Sequence, residues 1–333
     1  MRLIFDRGIM FRSLHRVLAL FAAACALGTA APAAQAEAAR TIRVLVGFPP
    51  GAGTDTLARI YAEGLGQALG VNVIVDNRPG AGGQIASQAL KNAPPDGSVL
   101  MFAVDHQIVM LPHIMKNPGF DVERDFAPVA RVAAYHLCIA AHPALGVRDL
   151  AGLGALVRKE PAMGNYAIPA PGANAHFMGL LLGRHLGVNL NPIPYRGAAP
   201  ALVDLAGGQL PLAVLPCDAM AEFHRAGKVR IIASASGRRI EALPAVPTLA
   251  EAGIDAPSDY FFAVYAPAGI APQALGEIRA ATRRLLAAPA IEERIARTGL
   301  TPAFAGEQEL VRIRRESAAF WGEQIRRAGY QPQ

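Results

Sequence analysis

The segment from Ile42 to Asp55 reads IRVLVGFPPGAGTD and joins an apolar run to a glycine-rich turn. The nearly continuous apolar run at residues 42–48 is typical of a strand that is buried on both faces. Apolar residues then recur at helical spacing over residues 54–69, so a helix is predicted to follow the turn. Further strands are predicted at residues 71–75 and 98–104, with a helix at 83–90 between them. This β-α-β-α-β order predicts a parallel, doubly wound sheet of the α/β class.

The rest of the chain continues this alternation and ends in helices. Strands are predicted at residues 135–141, 165–168, 190–194, 210–215 and 229–235. Helices are predicted at residues 174–186, 199–206, 273–287, 290–298 and 307–328. This order favours two α/β lobes of similar size, with the terminal helices returning to cover the first lobe.

The composition excludes several classes of protein. The 333 residues are 52% hydrophobic and 17% charged, without a charge block or low-complexity tract, so disorder is excluded and two domains fit the length. About half of the net charge of +6 belongs to the first 36 residues, and the other charges are mixed along the chain. A nucleic-acid partner is therefore not expected. Because the sequence contains no GxSxG, HExxH, SxxK, Walker loop or metal-ligand spacing, we predict no catalytic residue, cofactor or metal.

Residues 1–36 have the features of an export signal. Basic residues precede an apolar core at 17–27, and Ala34-Gln35-Ala36 supplies a small-x-small cleavage site. Because the core is too short to remain as a membrane anchor, the mature chain is predicted to be periplasmic. Two alternatives stay open, namely lipid attachment at Cys25 and a buried N-terminal helix.

The mature chain keeps two cysteines, Cys138 and Cys217. Neither lies in a CxxC pair or near a histidine at metal-ligand spacing, so we interpret both as small buried residues. Pairing in an oxidising compartment remains the alternative, because the sequence does not place the two thiols in space.

Two glycine-rich turns follow neighbouring predicted strands. Gly51 and Gly53 lie in the first turn, and residues 77–83, NRPGAGG, form the second. Glycine lets the backbone turn tightly and approach a ligand, and the free N–H groups and dipole of a helix start favour an anion. Both turns follow carboxyl ends of adjacent parallel strands, which indicates a ligand crevice at that edge of the sheet. For each turn taken alone, the simpler interpretation is a short connection without a ligand.

Two enzyme interpretations fit only parts of the sequence. The first turn, with Asp76 at the end of the next strand, resembles a dinucleotide fingerprint, but Thr56 occupies the position of the third glycine. A hydrolase of this fold would have to bring Asp105, His106 and Ser234 together, and no spacing in the sequence supports that arrangement.

Motifs along essentially the whole mature chain resemble one family. They are GFPPGAGTD at 47–55, VDNRPGAGG at 75–83, PDG at 95–97, DFAPV at 125–129, PYRGA at 194–198, GGQ at 207–209, LPAVPT at 243–248, EAG at 251–253 and APAG at 266–269. In this order they resemble the Bug proteins, also called the TctC family, which are extracytoplasmic solute-binding receptors of tripartite tricarboxylate transporters.

The resemblance implies a two-domain periplasmic-binding-protein-like fold with a ligand cleft between the lobes. Domain 1 would comprise residues 41–140 and 262–333, and domain 2 would comprise residues 141–261. The implied function is that of a monomer that captures a small organic carboxylate and delivers it to membrane permease subunits of the transporter. An exported hydrolase-like enzyme and a ligand sensor that acts on a signalling partner are the alternatives.

The resemblance also implies which turns bind the ligand. In the family, the Phe-Pro-x-Gly turn and its Asp hold one end of the ligand, and turns of the second lobe contribute the rest. The predicted ligand-binding residues are Phe48, Pro49, Gly51, Ala52, Gly53, Asp55, Gly82, Asp105, His106, Ala170, Gly172, Asn174, Tyr195, Gly197 and Asp218. In the alternative interpretations Asp55 is an ordinary helix N-terminal acid, Asp218 caps a helix, and Arg78 and Arg196 are structural.

Three segments depart from the family pattern. The turn at 166–174, YAIPAPGAN, is short of hydroxyl groups, and Leu210-Pro211 stands where an acid is common. The turn after the third strand carries Asp105 and His106 instead of small residues. We therefore expect a carboxylate ligand whose far end is less polar or carries a hydrogen-bond donor.

Overall fold

The computed structural model of the protein describes residues 41–51, 53–258 and 260–333. The predicted signal peptide, Cys25 and Ala52 therefore lie outside the described residues. The strands are β1 (Thr41–Val46), β2 (Asn72–Asn77), β3 (Val99–Val104), β4 (Phe126–Tyr135), β5 (Leu137–Ala141), β6 (Asn165–Ile168), β7 (Asn191–Pro194), β8 (Leu212–Pro216), β9 (Arg230–Ala235), β10 (Tyr260–Pro267) and β11 (Thr301–Ala305). The helices are α1 (Gly53–Leu69), α2 (Gln84–Lys91), α3 (Leu111–Ile114), α4 (Val122–Asp125), α5 (Leu150–Lys159), α6 (Asn174–Leu186), α7 (Ala198–Ala206), α8 (Cys217–Arg225), α9 (Pro272–Leu286), α10 (Pro289–Ala296) and α11 (Glu307–Arg327). Among the helices in these ranges, none combines the length and the apolar character that a membrane span requires.

Six strands form the first sheet, in the order β11-β4-β10-β3-β1-β2. β1 pairs in parallel with both β2 and β3, so the parallel arrangement predicted from the first three strands is confirmed. β10 runs antiparallel to β3 and β4, and β11 runs antiparallel to β4, so the prediction of a parallel sheet is wrong for this half. The physical reason is that the chain enters β10 from the second sheet and not through a crossover helix.

Five strands form the second sheet, in the order β7-β6-β8-β5-β9. β6 is parallel to β7 and β8, as the alternation of strands and helices predicts. β5 is antiparallel to β8 and β9, because the chain enters β5 directly from the first sheet. Both sheets are therefore mixed.

Helices cover both faces of each sheet. α1 buries Leu57, Tyr61 and Leu65, spaced four residues apart, and shares one face of the first sheet with α9 and α10. α2, α3 and α11 cover the other face, so the prediction that the terminal helices return to the first sheet is confirmed. α5 and α6 cover one face of the second sheet, and α7 and α8 cover the other. We refer to each sheet with its helices as the first lobe and the second lobe.

The two lobes share one apolar cluster. It contains Trp321 of α11 in the first lobe and Phe177 of α6 in the second. Arg184 of α6 donates a hydrogen bond to Gln324 of α11. Tyr330, which follows α11, meets Phe177 edge-on with ring centres 5.3 Å apart. The lobes are thus packed together along this side.

The chain passes between the lobes twice. His136 alone separates β4 from β5, and residues 236–259 lead from β9 to β10. The single strand predicted at 135–141 is therefore divided at His136. The predicted elements also lack β10, β11 and most of β4, as well as helices α5 and α8. The domain boundaries at 140/141 and 261/262 stay predictions.

Cys138 and Cys217 form a disulfide, with their Cα atoms 4.9 Å apart. β5 and β8 are antiparallel neighbours in which Cys138 lies opposite Leu215, so Cys217 at the start of α8 comes within reach. Both residues are buried, as predicted, but their interpretation as unpaired cysteines is wrong. The pairing depends on strand order between residues 79 positions apart, which the local sequence does not reveal.

Candidate functional site

The edges of the two sheets that carry the predicted turns face each other. Asp105 follows β3 of the first sheet, and its carboxylate accepts a hydrogen bond from Asn174, the first residue of α6 in the second lobe. A Cβ atom built on Gly172, also in the second lobe, would lie 2.7 Å from Ile114 of α3. Asp105, Gly172 and Asn174, three of the predicted site residues, therefore lie where the two lobes meet.

The first turn, between β1 and α1, is held by the carboxylate of Asp55. This carboxylate accepts hydrogen bonds of 2.9 Å from the backbone N–H of Gly51, from Nε and Nη2 of Arg59, and from Nδ2 of Asn77. The same Asn77 amide donates to the carbonyl of Phe48 at 3.1 Å. Both oxygens of Asp55 are therefore engaged by the protein itself.

The charge of Asp55 is stabilised in the folded chain. Burial alone raises the pKa of Asp55, but hydrogen bonds from Arg59, Gly51 and Asn77 outweigh burial, so the pKa lies below its usual value. Asp55 is 3% exposed, whereas Gly51 and Gly53 are exposed, and no atom of the described residues lies within 4 Å of a Cβ built on either glycine. The arrangement leaves an open backbone turn at the N-terminus of a 17-residue helix.

Asn77 is a site residue that sequence reasoning missed. It ends β2 and joins the first turn to the second through its bonds to Phe48 and Asp55. Its sequence signal is an amide side chain at the end of a strand that neighbours a glycine-rich turn. Arg78, the next residue, pairs with Asp76 at 3.0 Å, in line with its structural interpretation.

The second turn packs against the third. A Cβ atom on Gly82, where φ is 65°, would lie 2.8 Å from Nε2 of His106, and one on Gly83 would lie 2.4 Å from Cγ of Gln107. Nε2 of Gln107 donates to the Gly83 carbonyl at 3.1 Å. The glycines of this turn therefore make room for the residues that follow β3, and Gly82 remains exposed beside His106.

The third turn carries a buried acid. Asp105 is 2% exposed and accepts hydrogen bonds from the hydroxyl of Tyr135 at 2.6 Å and from Nδ2 of Asn174 at 3.1 Å. Burial raises the pKa of the Asp105 carboxyl to about 7, although these hydrogen bonds act in the opposite direction. Burial also lowers the pKa of His106 to about 4, so its ring is neutral at pH 7.

The turns of the second lobe are shaped by hydrogen bonds within that lobe. The backbone N–H of Gly172 donates to Nδ1 of His176 at 3.1 Å, and Ala170 lies two residues after the end of β6. The hydroxyl of Tyr195 donates to Asp204 at 2.6 Å, and the N–H of Gly197 donates to the Pro169 carbonyl at 2.9 Å. No atom lies within 4 Å of a Cβ built on Gly197, so the N-terminus of α7 is also open.

A cavity of about 1350 Å³ opens between the lobes on the β4 and β11 side of the first sheet. Asp218, Tyr135, His136 and Ser236 contribute to its lining, and Asp218 is the one predicted site residue among the described residues that lines it. Burial raises the pKa of Asp218 above its usual value, although backbone N–H groups at the start of α8 oppose this effect. Because β1 and β2 lie at the opposite end of the sheet, the cavity and the glycine-rich turns are separate regions. We place the candidate site at the turns, where the backbone of Gly51, Gly53 and Gly82 is exposed.

The proposed hydrolase residues are not assembled. Ser234 is 1% exposed, and its Oγ lies 2.8 Å from Oγ of Ser236. Asp105 bonds Tyr135 and Asn174, and Nδ1 of His106 has no partner among the described residues.

Comparisons with known proteins agree with this two-lobed architecture. A family model described as tripartite tricarboxylate transporter family receptor matches residues 57–330. Protein BugT of Bordetella pertussis is 33% identical over 305 residues, which cover 91% of this chain and 94% of BugT. The solved structure of R. palustris Rpa4515 with adipate is 27% identical with a TM-score of 0.78, covering 88% of this chain and 98% of that one. MatC from Rhodopseudomonas palustris with bound malate is 26% identical with a TM-score of 0.72, covering 86% of this chain and 99% of that one.

The family match extends over most of the described chain, and the expected α/β fold with two lobes is confirmed. The chain therefore belongs to the tripartite tricarboxylate transporter receptor family, whose members are solute receptors and not enzymes.

Proposed function

We propose that this protein is a periplasmic receptor, acting as a monomer, that captures a small organic carboxylate between its lobes and delivers it to the permease subunits of a tripartite tricarboxylate transporter. The observation that carries the proposal is the first turn, where an open helix N-terminus is held in shape by a fully engaged Asp55. The adipate and malate in the structures of the two R. palustris relatives support a carboxylate as the ligand class.

The first turn suits an anion for electrostatic reasons. The dipole of a helix favours negative charge at its first turn, where the N–H groups have no acceptor within the helix, and α1 begins at this turn. Asp55 lies in the same turn, but the bidentate contact with Arg59 offsets its charge. Gly51 and Gly53 leave the backbone accessible to a ligand. A carboxylate at this turn needs no cationic side chain.

The opposite end of the ligand meets a less polar surface in this proposal. Ala170 and Gly172 offer no hydroxyl group, and the neutral ring of His106 adds no charge. Both oxygens of Asp105 already accept hydrogen bonds from the protein. Of the two ligand types expected from the sequence, we therefore favour the one with a less polar far end.

The first test is a thermal-shift screen of residues 37–333 with mono-, di- and tricarboxylates, including adipate and malate. A ligand at about 100 times its Kd adds about 2.7 kcal/mol to the free energy of unfolding, which gives an easily measured shift. We expect stabilisation by one class of acid. Folded protein that responds to no acid, and that yields no ligand to mass spectrometry after denaturing extraction, would contradict the proposal.

The substitution Gly53→Asp tests the first turn directly. A Cβ at this position meets nothing within 4 Å, so the variant folds, and an acid at a helix N-terminus favours the helix. The added carboxylate occupies the place of the ligand anion, and we expect affinity to fall at least about tenfold. Gly276→Asp on α9 is the matched control, because its Cβ also meets open space. Equal affinity in the two variants, measured by calorimetric titration, would remove the first turn from the site.

A further inference from the structure

A hydrogen bond between Asp105 and Asn174 joins the two lobes across the candidate site. Asp105 follows β3 in the first lobe, and Asn174 is the first residue of α6 in the second. Nδ2 of Asn174 lies 3.1 Å from Oδ2 of Asp105, and the two residues are 3% and 2% exposed. If the lobes separate, this contact must break and both groups must return to water.

Besides Asn174, the titratable groups around Asp105 and its partner Tyr135 come from β4, β10 and α8, together with the next residue, His106. Tyr135 of β4 donates its hydroxyl to Oδ1, and the ring of Tyr260 of β10 packs against that of Tyr135 at a tilt of 38°, with ring centres 5.3 Å apart. The Tyr260 hydroxyl is buried and has no partner among the described residues, and the negative charge of Asp105 raises its pKa further. His106 is neutral, and Asp218 of α8 acts on Tyr135 as a further acid. None of these groups is a cation that would favour the charged form of Asp105.

We propose that Asp105 and Asn174 form a latch between the lobes, and that closing the latch takes up a proton on Asp105. The proposal rests on the proposed function, since a receptor of this kind opens and closes around its ligand. In it, Asn174 and Asp105 are positioning residues. They set the place of the turn at 170–174 relative to the first lobe and do not themselves bind the ligand.

The direction of the pH effect follows from burial. In the closed protein burial raises the pKa of Asp105 to about 7, whereas in an opened protein the carboxyl returns to water and towards its usual value of 3.8. Between these values the closed form binds more protons, so closure weakens as the pH rises. From about pH 5.5 to about pH 8, the closure constant is expected to fall by roughly thirtyfold. His176 on α6 acts in the opposite direction because burial lowers its pKa, so the Asp105 effect must be isolated by substitution.

The test is small-angle X-ray scattering on the ligand-free protein at pH 5.5 and pH 8. A ligand is omitted because its own carboxyl groups would titrate. For the wild type we expect a larger radius of gyration at pH 8 than at pH 5.5. Asp105→Asn keeps the shape of the side chain without its charge, so its radius should be smaller than that of the wild type at pH 8. Asn174→Ala should enlarge the radius at both pH values.

Two further variants serve as controls. Asp204→Asn changes an acid that accepts a hydrogen bond from Tyr195 at 2.6 Å, just as Asp105 accepts one from Tyr135. Asp204 and Tyr195 both belong to the second lobe, so this contact does not join the lobes. Its radius should follow that of the wild type. Should Asn174→Ala not fold, Asn174→Asp places a second acid at the latch and should increase the pH dependence.

The outcomes separate the two proposals. If the wild type and Asp105→Asn have the same radius of gyration at pH 8, the proposal that closure takes up a proton is overturned. If the radius of gyration of Asn174→Ala, or that of Asn174→Asp at pH 8, equals the radius of the wild type, the latch is overturned. Because no ligand is present, failure of the carboxylate screen leaves these results unaffected, and failure of the latch leaves the screen unaffected.

Discussion

Asp55 organises the first turn from inside the protein. Its two oxygens accept from Gly51, Arg59 and Asn77, so the acid shapes the turn and its charge is already offset. The motif indicated that the acid belongs to the turn, but its partner Asn77 lies 22 residues away on another strand. Pairing of this kind becomes visible only once β1 and β2 are placed side by side.

Asn77→Ala should loosen the first turn. The substitution removes one donor to Asp55 and one to the Phe48 carbonyl, which costs about 1–2 kcal/mol of unfolding free energy. We expect a carboxylate found in the screen to bind about tenfold more weakly, because the N–H groups of the turn lose their alignment. Urea unfolding and calorimetric titration measure the two effects. Asn191→Ala, which loses only an exposed contact with Asn165, is the control, and equal behaviour of the two variants would contradict this role for Asn77.

Asp105 gives the stability of the protein a characteristic pH dependence. Its folded pKa, about 7, lies above the usual 3.8, so its contribution is fully present below the lower value and is lost as the pH rises through 7. The slope between these values approaches about 1.4 kcal/mol per pH unit. The half-buried His106, His113 and His176 act oppositely at acidic pH, because partial burial lowers their pKa values.

The difference between the wild type and Asp105→Asn isolates that contribution. We expect Asp105→Asn to become more stable relative to the wild type as the pH rises from about 5 to about 8. Urea midpoints measured across this range give the comparison. A constant difference would mean that Asp105 is not a buried acid with a raised pKa.

At the scale of elements, local sequence patterns predicted the strands and helices that flank the turns of the candidate site. β6 and α6 have the same bounds in the prediction and in the structure, because the helix begins at a clear break after Pro171-Gly172. β10 was missed although all its residues are buried. Its antiparallel place between β3 and β4 depends on the return of the chain from the second lobe, which leaves no local signal.

The disulfide connects two elements, and the sequence likewise did not predict that they are adjacent in space. It joins β5 to the start of α8 and closes a long loop, since the two cysteines are 79 residues apart. Replacing both with serine should cost about 2–5 kcal/mol of unfolding free energy, because the unfolded chain regains the entropy of the open loop. Urea unfolding of the oxidised protein, the reduced protein and the double variant makes the comparison. Equal midpoints for all three would show that the bond contributes nothing to stability.

At the scale of the whole molecule, the sequence predicted two lobes but not how closely they are joined. The lobe count follows from the repeated alternation of strands and helices. The shared apolar cluster depends on α6 meeting α11, elements that lie more than 100 residues apart in the chain. One side of the receptor is therefore closed by packing, and the other side contains the open cavity next to Asp218.

The position of β10 in the middle of the first sheet also determines the order of folding. β10 pairs with β3 and β4, so the first lobe stays incomplete until residues 260–267 have been synthesised. The second lobe is one continuous segment, and its strands lie between residues 137 and 235. Contacts between nearby residues form before distant ones. In pulsed hydrogen exchange during refolding, we expect amides of β5, β6 and β8 to be protected before those of β4 and β10, and the reverse order would contradict this view. A nascent chain would then complete its second lobe while the first lobe still lacks its central strand.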